Sequence, residues 1–293
     1  MREYATPATF RSAVEAKLRQ RARHLRVPAY ILRRQAGLER LTVRLMAVAP
    51  GRWALKGGFA LETRLGGRAR VSVDLDADHR NGAEASRADL QRAATADVGD
   101  HFGFVVVGSE ELRSAGVGLA VRYRLESSLA GRLFEPLQVD VSIAAPDPWD
   151  AQPARRPGLL AELGLGPIDV WLVPLERQVA EKLHAYTRTY ESGGTTRARD
   201  LVDLLLIREH ARLDPVALRN AIQRVFDRRA THAIPERVPP PPRELAVSYR
   251  REAEQVRVAS DLEEAHRLVT DWLDPVLARK GGAQDVSPRK VVP

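Results

Sequence analysis

The sequence predicts an α+β fold: N-terminal helices over residues 1–49, a mixed α/β core over 50–145 and a helical C-terminal half over 146–280. A short tail, 281–293, is expected to be disordered. Two patterns carry this. Apolar residues recur at helical spacing before Pro50 and again after Pro174, whereas the segments between them alternate apolar and polar residues with period two. Composition agrees. Of 293 residues 44% are hydrophobic and 29% charged, the balance of a globular protein, which excludes wholesale disorder.

The elements follow in order. Thr6-Pro7 is an N-cap followed by proline at the first helical position, opening a basic amphipathic helix to about Leu25. Pro28 starts a second, ending near Ala49-Pro50-Gly51. Trp53 to Lys56 is a short apolar strand broken by Gly57-Gly58, and Phe59 to Leu65 is a helix. Arg70 to Asp76 alternates and predicts a strand with Val71, Val73 and Leu75 on its buried face. Glu84 to Asp97 returns to helical spacing. Phe102–Val107 and Val117–Leu125 predict a hairpin, Leu137–Ile143 another strand, and the prolines from Pro146 to Pro153 a loop.

From Pro174 the chain reads as helix: Leu175–Tyr190, a glycine loop over Glu191–Thr196, Arg199–His210, then Pro215–Arg229 with Asp214 as cap. Pro239–Pro242 is a stiff connector. Ser260-Asp-Leu-Glu263 predicts a capping box for a last helix ending at Leu277. No internal repeat is present.

Several function classes fall away. There is no cysteine, which excludes disulfides, thiol nucleophiles and Cys-ligated zinc. No apolar run approaches the roughly 18 residues of a membrane span, and Met1 to Tyr4 opens no signal peptide. A cytoplasmic monomer is the expectation. The net charge of +8 points to an anionic partner, nucleic acid ahead of membrane. Only Lys17, Lys56, Lys182, Lys280 and Lys290 are lysines, so the setting of each is informative.

The leading chemical feature is Asp74-Leu75-Asp76. Residues two apart on a strand share a face, here with Ser72, and paired carboxylates repel unless a cation lies between them. Such hard oxygen donors suit magnesium; the same pattern also describes the polar face of an edge strand. Gly57-Gly58 between strand and helix offers backbone N–H groups to a phosphate, with Lys56 beside it, or is merely a tight turn. Asp140, between Val139 and Val141, is a third acid in a strand that reads as buried; solvent-facing or arginine-paired placement is the alternative. A second cluster comprises Lys182 among apolar helix positions, then Arg197, Asp200 and Asp203. Glu181 and His184 read as surface residues.

The ordered set LKGGFALETRL, RVSVDLD, QVDVS, EKLHA and RARDLVDLL, over about residues 50–210, resembles the nucleotidyltransferase-like toxins of the AbiEii/AbiGii type and their MenT relatives. The resemblance implies a DNA polymerase β-like nucleotidyltransferase core. It implies magnesium and a nucleoside triphosphate (NTP), a cognate antitoxin, and transfer of a nucleotide to the 3′ end of tRNA, which blocks aminoacylation and translation. Asp74 and Asp76 match the family's metal-binding acids, with Asp140 as a third. Lys56, Lys182 and Asp200 match its other motif residues. Nucleotide contacts fall to Lys56, Gly57, Gly58, Ser72, Lys182 and Arg197, with Arg70 a further candidate, and Asp140 or Asp200 to the attacking hydroxyl. Phe59 departs from the small hydroxyl residue frequent at that position.

Phosphorylation of Ser72 would set about two negative charges beside the acids and offers an antitoxin a route to silencing. The N-terminal basic helix, with Arg11, Lys17, Arg19, Arg21 and Arg23, either tracks an RNA backbone or is a solvated face. Two rival readings stand: a transferase modifying a protein or small molecule, and a catalytically silent nucleic-acid-binding partner.

Overall fold

The computed structural model describes residues 4–114, 118–143, 150–188 and 197–279. The expected loop over 191–196, the tail 281–293 and residues 146–149 of the expected loop over 146–153 lie outside these, and Gln152 and Pro153 of that loop are strand. The chain divides after Pro174 into two compact units.

The first unit opens with α1 (Pro7–Leu25). Thr6 caps it, its hydroxyl accepting from the Thr9 N–H, and Pro7 needs no partner at the first position. Phe10, Val14, Leu18 and Ala22, four apart, form its buried stripe, which packs on α2 (Ala29–Val48). Then come β1 (Trp53–Lys56), α3 (Gly57–Leu65), β2 (Leu75–His79), α4 (Gly82–Thr95), β3 (Phe102–Ser114), β4 (Gly118–Leu129), β5 (Arg132–Ser142), β6 (Gln152–Arg156) and β7 (Ile168–Leu172). Among the described residues these strands form one mixed sheet, ordered β3-β4-β5-β2-β1-β7-β6. Leu75, Ala77, Leu137, Val139 and Val141 point from its central strands into the core.

Two expectations change. Residues 70–74 are not strand: the Ser72 hydroxyl donates to the Asp74 carbonyl at 2.9 Å, a local bond that competes with the sheet ladder. The strand therefore begins at Leu75, and Ser72 is buried. The expected core boundary at 145 also cuts the sheet, because β6 and β7 belong to it; Pro153 is tolerated because β6 is an edge strand.

α2 is buried nearly all round and carries charges into the interior, each paired. Arg44 forks onto Asp100 at 2.9 and 2.6 Å, and Arg40 reaches the same carboxylate at 2.6 Å. Glu39, 1% exposed, accepts from Arg156 at 2.6 Å and from the Leu159 N–H at 2.7 Å. Burial pushes Glu39 up to about 7, against the pull of Arg156. A raised carboxyl binds its proton more tightly when folded, so its contribution is full below about pH 4.5 and is lost as pH rises towards 7. Between those values the wild type should lose about 1.4 kcal/mol per pH unit relative to Glu39→Gln. Paired urea melts across pH 5–8 check this; parallel stability curves would refute it.

The second unit is helical: α5 (Leu175–Thr187), α6 (Arg197–His210), α7 (Pro215–Arg229), α8 (Ala246–Val256) and α9 (Leu262–Leu277). α6 is its central helix, with Leu201, Val202 and Leu204–Ile207 fully buried against α5, α8 and α9. Asp214 caps α7 as expected. The cap of α9 is Asp261, whose carboxylate accepts from the Glu264 N–H, one residue beyond the expected Ser260. Among the described residues no helix is long and apolar enough to cross a membrane.

Candidate active site

Strand register assembles the site of the first unit. Lys56 on β1 stands opposite Asp76 on β2, Asp76 opposite Asp140 on β5, and Asp140 opposite Arg122 on β4. Directly opposed residues share a face. Four neighbouring strands thus present the charge sequence plus, minus, minus, plus in one row, on the side away from Leu75 and Val139.

At the first end, the Lys56 ammonium donates to the Ser142 hydroxyl at 2.6 Å and lies 2.8 Å from the carboxylate of Asp78. Asp78 is fully buried and was missed in the sequence; its signal was that the acid alternation continues for one more step, Asp74-Leu-Asp76-Ala-Asp78. At the other end, Arg122 forks onto Asp140 at 2.8 and 2.7 Å. That bond raises Arg122 above its ordinary value, against burial, with the charges of Asp140 and Asp74 adding. Asp140 is therefore not buried among apolar neighbours: it is arginine-paired, with its side chain 21% exposed. Asp74 sits just before β2, its carbonyl accepting from Ser72, and so lies outside the strand ladder that holds Asp76.

The glycine turn meets these acids directly. Gly57 has φ +61°, and a Cβ there would lie 2.1 Å from Asp76 Oδ2. A Cβ on Gly58 would lie 2.9 Å from Ser72 Oγ and 3.3 Å from an Arg70 nitrogen. Arg70, Ser72 and Asp76 thus border the Gly-Gly turn. Lys56, the residue before α3, makes no side-chain cap bond, and a helix N-terminus is where backbone N–H groups meet an anion. Phe59 points the other way, fully buried, with the Arg156 guanidinium 5.5 Å from its ring centroid.

Carboxylate oxygens of Asp74 and Asp76 are the hard donors magnesium takes, and backbone alone borders Asp76 on the glycine side. Among the described residues no group of three or more His, Asp or Glu side chains is gathered to hold an ion unaided. That suits magnesium, which usually completes its shell with waters and substrate phosphates.

The second unit brings together the other cluster. Lys182 on α5 bonds the fully buried Asp203 on α6 and lies 3.6 Å from Asp200, which Arg197 holds at 2.7 Å. Glu181 and His184 are not surface residues, because α7 packs against α5. Glu181 faces Arg177, Arg228 and Arg229. His184 is fully buried against Phe226 and bonded to Thr231 at 2.8 Å. Burial first, then Arg229 and His232, push His184 down to about 3. A depressed imidazole must be neutral to fold, so its contribution is full above about pH 6.5 and is lost as pH falls. Relative to His184→Gln, the wild type should lose about 2 kcal/mol from pH 7 to pH 5. Denaturant titrations at both pH values test this, and equal losses in the two proteins would refute it.

The family profile described as the nucleotidyl transferase AbiEii toxin of type IV toxin–antitoxin systems matches residues 44–272. Among solved structures the chain is similar to MenT4, a nucleotidyltransferase toxin from Mycobacterium tuberculosis H37Rv, at 19% identity and TM-score 0.55. The match covers 90% of this chain and 98% of that one. A structure from H. pylori with a provisional nucleotidyltransferase assignment aligns at 18% identity and TM-score 0.49, over 86% and 96% of the two chains. No curated protein sequence matches.

Proposed function

Because the chain belongs to the AbiEii family of nucleotidyltransferase toxins, we propose that it transfers a nucleoside monophosphate from an NTP to the 3′ end of tRNA, with magnesium as cofactor. The observation that carries this reading is the row Lys56–Asp76–Asp140–Arg122 lying against the Gly57 turn. The family's type IV toxin–antitoxin setting implies an antitoxin partner.

In the reaction the RNA 3′ oxygen bonds to the α-phosphorus, the bond to the bridging oxygen breaks, and pyrophosphate leaves. Asp74 and Asp76 would hold the metal, which when bound neutralises charge building on the phosphates. The start of α3 and the Lys56 ammonium would receive phosphate oxygens. Asp78 and Ser142 fix where that ammonium stands. Asp140, beside Asp76 and held by Arg122, takes the hydroxyl proton. Catalysis of this kind is mostly positioning and electrostatics, which rigid strands provide.

Lys182 and Arg197, bonded within their own unit to Asp203 and Asp200, are proposed from the family motifs as further nucleotide contacts. Silencing through phosphorylated Ser72 requires that residue to be exposed first, since it is 4% accessible. Intact mass after co-expression with the neighbouring gene decides it, and unmodified Ser72 in a neutralised toxin refutes it.

The test incubates purified protein with total tRNA, magnesium and each α-labelled NTP in turn, with Asp76→Ala as control. Label in tRNA from the wild type alone supports the proposal. Label in protein moves the substrate to another class, and no label with no NTP binding returns the chain to a silent nucleic-acid-binding role.

A further inference from the structure

Residues 16–38 hold no acidic residue, yet they include Lys17, Arg19, Arg21, Arg23, Arg26, Arg33 and Arg34, against a net charge of +8 for the whole chain. The structure sorts the basic residues of this region. Arg11, earlier in the same helix, donates to the carbonyls of Leu129, Arg132 and Leu133, and Lys17 pairs with Glu162. Arg33 pairs with Glu135. These are structural. Arg19, Arg23 and Arg26, at i, i+4 and i+7, instead line a groove of about 630 Å³ where α1 turns into α2. Its other lining residues are Ala16, Ala22 and the Val27–Ala29 turn, small groups that admit a bulky anion between the arginines. All three arginines are exposed. Among the described residues Arg19 alone of the three forms an ion pair, with Glu15 at 3.8 Å.

The geometry points to this groove as a docking surface for an RNA strand, gripping its phosphate backbone. From Arg19 through Arg23 to Arg26, the cap just past the end of α1, the span is about 10 Å, over which one nucleic-acid strand presents about three phosphates. Beside the groove Tyr30 is 46% exposed, with the Arg34 guanidinium 5.8 Å from its ring centroid. An aromatic and a guanidinium presented together offer a stacking platform for an unpaired base. A membrane fits less well, because the apolar stripe of α1 is already buried in the core. The inference rests on the proposed RNA substrate and adds where that RNA is held, apart from the acids that act on it.

The experiment titrates full-length protein into labelled total tRNA, without NTP or magnesium, from 50 to 200 mM KCl. Wild type is compared with R19Q/R23Q/R26Q and with R19E/R23E/R26E. The glutamine triple should weaken binding at least about tenfold and flatten the log–log salt dependence by two to three. The glutamate triple should weaken it further. Both should raise KM for tRNA while leaving kcat unchanged, whereas Asp76→Ala should bind tRNA as wild type does. A far-UV helix signal equal to wild type certifies each fold. If wild type labels tRNA and the triples keep its affinity, salt slope and KM, the groove is overturned and the transfer reaction stands. If wild type binds anionic vesicles and not tRNA, or labels only protein, the groove and the tRNA reading fall together.

Discussion

Gly57→Ala is expected to reduce nucleotide transfer at least about 100-fold while lowering stability by only about 2 kcal/mol. Two effects combine. At φ +61° an alanine costs about 1–2 kcal/mol of backbone strain. Its Cβ would also stand 2.1 Å from Oδ2, 2.9 Å from Cγ and 3.1 Å from Cβ of Asp76. The carboxylate must move by about 1 Å or more to restore contact distance, and a misplacement of that size costs roughly 100-fold where rate depends on alignment. Gly58→Ala makes the useful contrast, since its Cβ meets the side chains of Ser72 and Arg70 at 2.9 and 3.3 Å. Those contacts are looser than the one on Asp76 and meet no acid, so a smaller loss than at Gly57 is expected. Single-turnover transfer with labelled NTP, read beside a thermal melt, measures both. A Gly57→Ala enzyme retaining more than a tenth of the wild-type rate would contradict the tight turn–acid contact.

The second large effect concerns stability. Asp100→Ala should cost about 3–5 kcal/mol, because it strands two buried guanidinium groups, Arg44 at 0% and Arg40 at 7% exposure. Burial alone would raise Asp100; the hydrogen bonds and charges of Arg44 and Arg40 instead hold it below its ordinary value. That pairing is complete at neutral pH and is lost as acid protonates the carboxylate, so wild type and Asp100→Ala should converge at low pH. Urea denaturation at pH 7 and pH 3 tests this; a gap unchanged by acid would refute it.

The readability of the sequence followed the range of the interactions. α1 was legible to its ends because Thr6, Pro7 and the four-residue stripe act within one helix. β1 and α7 were legible for similar reasons. β2 was displaced because one hydroxyl, Ser72, outweighed the alternation around it. β7 alternates over only Ile168–Leu172 between loops, too short a signal to claim a place in the sheet. Within the site, Lys56 and the acid pair were visible as a motif, but Arg122 was not. Nothing local marks it, and its value comes from standing opposite Asp140 on another strand. Likewise His184 read as surface because its cover arrives from Phe226, Thr231 and His232, more than 40 residues later.

The buried charges of α2 bear on how the chain comes off the ribosome. Glu39 finds its partners only at Arg156 and Leu159, 117 and 120 residues further on. At synthesis rates of about 5–20 residues per second, α2 waits roughly 6–24 seconds for them. During that interval Glu39 can stay wet and ionised, so the helix has reason to remain loosely docked. The first unit therefore closes late, after β6 emerges, and a nascent chain cut short of Arg156 carries the Gly57 turn and its acids in an unfinished core.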